Sequence, residues 1–195
     1  MEPSRLSLAA LVAASASFST ACVDNESSLF VRGVLAVESG DCSANADPGA
    51  TLKANGILDT ALTSSYIAAL LVGNQLVARG SPTQLRTETA RVALRGAEVR
   101  VASTTQEILK SFSVDGTGFV DPAAGTSPGY GVFFATLIPN LERIGANTVI
   151  VNVRVFGRTL GGREVESGEL AFPIQLCDGC LISFPSEADD PTTPE

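Results

Sequence analysis

The stretch TVIVNVRVF, residues 148–156, sets Val149, Val151, Val153 and Val155 at alternate positions, with Asn152 and Arg154 between them. A helix would scatter the four valines around its circumference, whereas a strand gathers them on one face. The pattern is therefore that of a half-buried antiparallel strand, and β-branched side chains favour the same conformation. One apolar sheet face needs a second layer to cover it, so the rest of the chain is read for partner strands. Downstream, Gly161-Gly162 makes a turn into Glu164–Leu176, where Leu170, Phe172, Ile174 and Leu176 share a face. Pro173 points the other way and brings no N–H to a ladder, which predicts an edge strand. Leu181–Phe184 closes the run. Upstream, Tyr130–Ile138 has the β pattern, Pro139 stops it, and Asn140–Ala146 reads as one helical turn.

The segment Ala90–Ala102 changes phase midway: Val92 and Leu94 occupy even positions, Val99 and Val101 odd ones. A strand that keeps one face buried needs an extra residue or a turn there, and Gly96 can supply the backbone angles. A crossing from one sheet to the other would explain the slip equally. Ile108–Val114 is the next strand, followed by a Gly- and Pro-rich loop, Asp115–Gly129. Nearer the N-terminus, Leu29–Val37 is the first strand and Leu52–Thr60 a weaker one. Tyr66–Val72 is continuously apolar, as a strand covered on both faces would be, and Gly73-Asn74 behind it reads as a hairpin turn into Gln75–Ala78. A buried helix over Ala61–Val72 is the alternative, disfavoured by that turn pair. The sum is an all-β protein, an antiparallel β-sandwich of immunoglobulin-like general architecture over residues 29–184. The antibody-type tryptophan is missing, since the chain has no Trp. Residues 185–195 form an acidic, Pro-rich tail of disordered composition.

Residues 1–21 read as a signal peptide: Arg5 supplies a weak n-region, and Leu6–Phe18 is apolar but too short to span a bilayer. Ser19, Thr20 and Ala21 are small and lead into Cys22. Ala21-Cys22 satisfies the end of a bacterial lipobox, although Ser19 stands where that box usually has Leu. Lipidation of Cys22 would anchor the chain to a membrane, with residues 22–28 as a tether. Without it the protein is a secreted sandwich in which Cys22 joins a disulfide. Cys42, Cys177 and Cys180 are disulfide candidates in an oxidising compartment. Cys177-Asp178-Gly179-Cys180 has the C-x-x-C spacing of redox and metal sites. It lies between strand-like runs with a turn pair at its centre, and no second ligand pair accompanies it. A structural disulfide joining Cys42 to one of these two is the expectation.

The composition excludes several classes of function. With 13 basic and 21 acidic side chains and a formal net charge of −8, the chain repels nucleic acid. It has no histidine, so Ser-His-Asp triads, Cys-His pairs and His-ligated zinc are unavailable. Lys53 and Lys110 are the only lysines, and neither follows an S-x-x-K pattern. Glu164, Glu166 and Glu169 are the densest acidic group, at the spacing of a solvated strand face. Asp115 and Asp121 are too few for a calcium loop. Arg91, Arg95, Arg100 and Arg154 form either a basic stripe or a set of surface ion pairs. Only Tyr66 and Tyr130 could serve as sugar-binding platforms. No catalytic residue, metal or cofactor is expected.

The stretches SLFVRGVLAVESGDC (28–42), SSYIAALLVGNQLVARG (64–80), RTETARVALRGAEVRV (86–101), TGFVDPAAGTSPGYGV (117–132) and TLGGREVESGELAFPIQLCDGC (159–180) span most of the exported chain. In them the chain resembles predicted lipoproteins of myxobacteria, a group with no established activity. The resemblance implies a cell-envelope location and no particular chemistry. The functional expectation is a lipid-anchored, noncatalytic protein of the envelope, on the outer membrane, that binds a protein partner; a structural or self-assembling envelope component is the alternative.

Overall fold

The computed structural model describes residues 28–37, 44–80, 88–139 and 147–182. The signal peptide, Cys22 and its tether up to residue 27, Cys42, the turn expected at 140–146 and the tail at 185–195 lie outside them. The described residues form ten strands and no helix: β1 (Leu29–Leu35), β2 (Leu52–Lys53), β3 (Gly56–Asp59), β4 (Tyr66–Asn74), β5 (Val92–Ser103), β6 (Ile108–Val120), β7 (Gly129–Ile138), β8 (Thr148–Thr159), β9 (Glu164–Glu166) and β10 (Leu170–Cys177). They make two sheets, β2-β1-β4-β7 and β3-β10-β8-β5-β6, with β9 continuing beside β8. The sheets pack face to face, and the protein is an all-β sandwich. Its one parallel pairing among named strands, β3 with β10, departs from the wholly antiparallel expectation.

Strand β8 is the centre of the molecule. Val149, Val151, Val153 and Val155 are fully buried, and each contributes about 1.5–3 kcal/mol by leaving water. The opposite sheet covers them with Val34, Leu70, Val72, Phe133, Ala135 and Leu137 in one continuous core. The phase slip in β5 is a bulge: its register shifts between Leu94 and Gly96 against both neighbours, with Arg95 the extra residue opposite β8 and two residues of β6, Gly116 and Thr117, opposite Arg95 on the other side. The strand stays in one sheet throughout, and no crossing occurs.

Four other expectations are corrected. Gly73-Asn74 is not a turn, because β4 runs through it, pairing Gly73 with Phe30 and Tyr130. The glycine is there for space: the Phe30 ring occupies the position a Cβ would take. Gln75–Ala78 accordingly forms no hairpin strand and runs beside the 121–124 segment, where Ala123 N donates to Leu76 O at 2.8 Å. The expected strand at Leu52–Thr60 divides into β2 and β3, which belong to different sheets. The glycine-rich start of the expected loop, Asp115–Val120, is the second half of β6. Gly116 gives way to the Phe133 ring, so it too marks close approach instead of a turn. Finally, β10 is flanked by β8 and β3 and is no edge strand. Pro173 is tolerated because β3 pairs only from Ile174 onward, leaving no partner on that side to want its N–H.

Three buried polar side chains hold the ends of these strands. Asn74 donates from Nδ2 to Ala90 O at 3.0 Å and Val120 O at 3.3 Å, and accepts from Leu76 N at 2.9 Å. It thereby ties the end of β4 in one sheet to β5 and β6 in the other. Ser167 fills the gap between β9 and β10. Its N–H donates to Val155 O at 2.8 Å, and its Oγ accepts from Val155 N at 2.9 Å, standing in for an absent ladder residue. Glu88 accepts from Ala90 N at 2.8 Å, Gly80 N at 2.9 Å and Arg79 N at 3.1 Å. The Ala90 N–H above all, then those of Gly80 and Arg79, hold its carboxyl below the usual glutamate range against the opposing effect of burial.

Candidate functional site

The outward face of the six-stranded sheet carries most of the charge singled out in the sequence. Arg95 and Arg158 both reach Glu164, at 3.7 and 3.4 Å, and Arg154 reaches Glu166 at 3.7 Å. Arg100 grips one oxygen of Glu169 through both Nε and Nη2. Arg91 lies 3.0 Å from Asp121 and 4.8 Å above the Phe119 ring, although its Nε–H is not aimed for a hydrogen bond. The arginines are therefore cross-strand ion pairs and not a bare basic stripe. Each such exposed pair is worth about 0–1 kcal/mol, so their role is to keep this face wet and in register. Asp115 lies within β6 and Asp121 just past its last residue, six residues or about 20 Å of strand apart, too far to share a cation. Lys53 and Lys110 sit on edge strands of different sheets. At the far end of the same face a shallow groove of about 410 Å³ is lined by Arg100, Ala102, Ile108, Ile150, Asn152 and Ala171, among others.

Neither tyrosine is an open platform. Tyr66 is half-buried against Phe172, 6.3 Å between ring centres, and burial pushes its phenol up. Tyr130 meets Phe30 edge-on at 6.0 Å, with the Arg32 guanidinium 5.7 Å from its ring centre.

The C-x-x-C turn is the most organised polar feature. Cys177 and Cys180 are joined to each other, with Cα atoms 5.8 Å apart, so neither is paired with Cys42 as expected. The turn follows β10 directly, and Gly179 takes the left-handed backbone at φ +75°. Cys177 lies beside Asp59 in the parallel β3–β10 ladder. Asp59 is 1% exposed and accepts from Gly179 N at 2.7 Å and Ala61 N at 3.0 Å on Oδ1, and from Leu181 N at 2.8 Å on Oδ2. The Leu181 N–H chiefly, then those of Gly179 and Ala61, hold this carboxyl below the usual aspartate range, while burial pulls the other way. The carboxylate oxygen and both sulfurs lie within 4.8 Å of one another. The cysteine half of this grouping was legible in the C-x-x-C spacing. Asp59 carries no local signal, because only the chain-distant pairing of β3 with β10 brings it there.

The exposed apolar side chains are unevenly placed. The registers put Leu35, Tyr66 and Ile138 at one end of the four-stranded sheet, and Ser103, Ile108, Thr148, Asp59 and Cys177 at the corresponding end of the other. Around this pole stand Leu62, Ile67, Ile108 and Leu181, each more than half exposed, with Val37, Leu109 and Ile182 beside them, against Val77, Phe119 and Leu160 toward the other pole. Leu29, where the N-terminal segment enters the fold, is at the opposite pole, level with Asn74. No protein-family model matches the chain, and no curated protein matches its sequence.

Proposed function

We propose that the protein is a noncatalytic interaction module of the bacterial cell envelope, anchored by lipid on Cys22 and binding a protein partner through the pole that carries Leu62, Ile67, Ile108 and Leu181. The observation that carries this reading is the larger share of exposed aliphatic side chains at the end of the sandwich remote from Leu29, among the described residues seven there against Val77 and Leu160 at the near end. Clustered apolar exposure marks contact surfaces, and loops held at one end of a rigid sandwich are a common place for them. A tether entering at Leu29 would present this pole away from the membrane. The resemblance to lipoproteins of myxobacteria and the lipobox-like Ala21-Cys22 support the anchor.

The test uses the full chain expressed with its own leader in a bacterial envelope. A photo-crosslinking residue replaces Leu62, Ile108 or Leu181 in turn, and Leu160 at the opposite pole serves as the control. The reading expects one discrete protein adduct from the first three positions and none from Leu160. Adducts only to the protein itself would establish self-assembly instead, and equal labelling at all four positions would refute a contact surface confined to that pole. The intact mass of the membrane-extracted chain tests the anchor separately: a chain beginning at an acylated Cys22 is expected, and an unmodified one refutes it.

A further inference from the structure

We infer that the Cys177–Cys180 turn, once reduced, is a binding site for a borderline-soft divalent cation such as Zn²⁺, with the two thiolates and the Asp59 carboxylate as ligands. The C-x-x-C spacing alone is half a metal site. The fold supplies the missing donor from β3, 118 residues earlier than Cys177 by the register that sets Cys177 beside Asp59. All three ligand atoms already lie within 4.8 Å of one another. A tetrahedral zinc with about 2.3 Å bonds to sulfur and about 2.0–2.2 Å to oxygen sets its ligand atoms about 3.5–3.8 Å apart, so the two sulfurs, bonded to each other here, separate on reduction while the carboxylate oxygen stays within reach of both.

Two of the three donors do not depend on the disulfide for their position. Cys177 is the last residue of β10, locked to β3 by the ladder and by Thr60, whose N–H and Oγ1 both donate to Cys177 O, at 2.8 and 2.9 Å. Asp59 is held by its pairing with Cys177 in that ladder and by the Ala61 N–H, while its other two donors, Gly179 and Leu181, flank Cys180 and can shift with it; part of its lone-pair capacity is left for a metal. Only Cys180 has to move, and it stands beyond Gly179, the residue with left-handed backbone. Its exposure leaves the fourth coordination position open to water.

The charge balance favours the cation. Reduction by a phosphine opens the sulfur–sulfur bond: the phosphorus takes the oxygen of one water and becomes a phosphine oxide, and the two hydrogens of that water pass to the sulfurs of Cys177 and Cys180. Two thiols then face a buried carboxylate, which opposes their ionisation. A divalent cation displaces the two thiol protons and offsets two of the three negative charges gathered there.

The experiment takes the full chain, reduces it with a phosphine under anaerobic conditions, removes the reductant and titrates in Co²⁺, then Zn²⁺. One equivalent of cobalt is expected to give sulfur-to-metal charge-transfer absorption and the visible bands of a four-coordinate ion, and zinc to displace it. The unreduced chain should give neither. Cys180→Ser should abolish the charge-transfer band, Asp59→Asn should weaken cobalt binding by about tenfold or more, on the scale of ligand and near-ligand changes at metal sites, and Cys22→Ser/Cys42→Ser should leave it intact. Since Asp59→Asn also disturbs the turn, its circular dichroism is compared with that of Cys180→Ser, and the latter decides if the former is unfolded. Absence of the band in the reduced chain, its survival in Cys180→Ser, or its loss in Cys22→Ser/Cys42→Ser would overturn the assignment.

Discussion

Replacing Asn74 tests whether one amide pins the two sheets together. Its side chain is fully buried and makes three hydrogen bonds, two as donor to Ala90 O and Val120 O and one as acceptor from Leu76 N. Asn74→Ala leaves those three backbone groups without that partner, in a space too confined to restore all of them with water. An abandoned buried polar group costs about 1–3 kcal/mol. Carbonyls that keep a second lone-pair partner fall at the low end, so about 2–5 kcal/mol is expected for the three together. Asn74→Asp is the sharper variant: it conserves shape but turns a two-fold donor into a carboxylate facing two carbonyl oxygens. It should be at least as damaging at neutral pH. Its carboxyl prefers the neutral form in the fold, so its folded pKa is raised. The penalty is then present above that pKa and relieved as pH falls through it, because a protonated carboxyl can donate to one carbonyl. Urea unfolding followed by far-ultraviolet circular dichroism at neutral and mildly acid pH reads both effects, with unchanged m-values as the check on two-state behaviour. If Asn74→Asp and Asn74→Ala both stay within about 0.5 kcal/mol of the parent, as surface substitutions usually do, the pin does not exist.

Gly73→Ala drives a methyl into the Phe30 ring and should cost about 1–3 kcal/mol, the usual range for overpacking; Phe30→Leu in the same chain should recover much of it, and a double-mutant cycle in urea that shows simple additivity would refute the steric account. Glu88 stabilises the fold above the pKa of a free glutamate, about 4.3, and loses that contribution as pH falls through its depressed folded value, so urea midpoints should fall on acidification and Glu88→Gln should flatten the slope. Cys177→Ser/Cys180→Ser removes a bridge across a sequence separation of 3, for which loop-closure entropy gives about 2 kcal/mol; thermal unfolding that shifts by several times this would assign the disulfide a larger role.

What could be read in the sequence was whatever a strand imposes on its own residues. The valines of β8 and the alternation in β10 declared themselves, because period two is local and burial demands it. The slip at Arg95 was readable as a bulge for the same reason, but two sheets and one sheet explain it equally until the neighbours are known. Glycine misled the reading at Gly73, Gly116 and Gly118. At the first two the missing Cβ makes room for Phe30 and for Phe133, and composition alone does not separate a glycine needed for space from one needed for a turn. The pairing of Cys177 with Cys180 was misjudged because the spacing of cysteines does not fix their connectivity. Asp59 was invisible altogether, since its neighbours come from the other end of the chain.

The opposition of the two poles bears on how the domain would carry load. Strand β1 receives the N-terminal segment at one pole and runs toward the other, hydrogen-bonded to β4 along the way. Tension between a membrane at the first pole and a bound partner at the second would act along the strands, at right angles to the ladder bonds. Those bonds would then be sheared together, where a hairpin pulled from both ends at one pole would unzip them singly. The order of strands would thus make the module a strut that resists extension, with the small Cys177–Cys180 loop stiffening the end where the grip is taken.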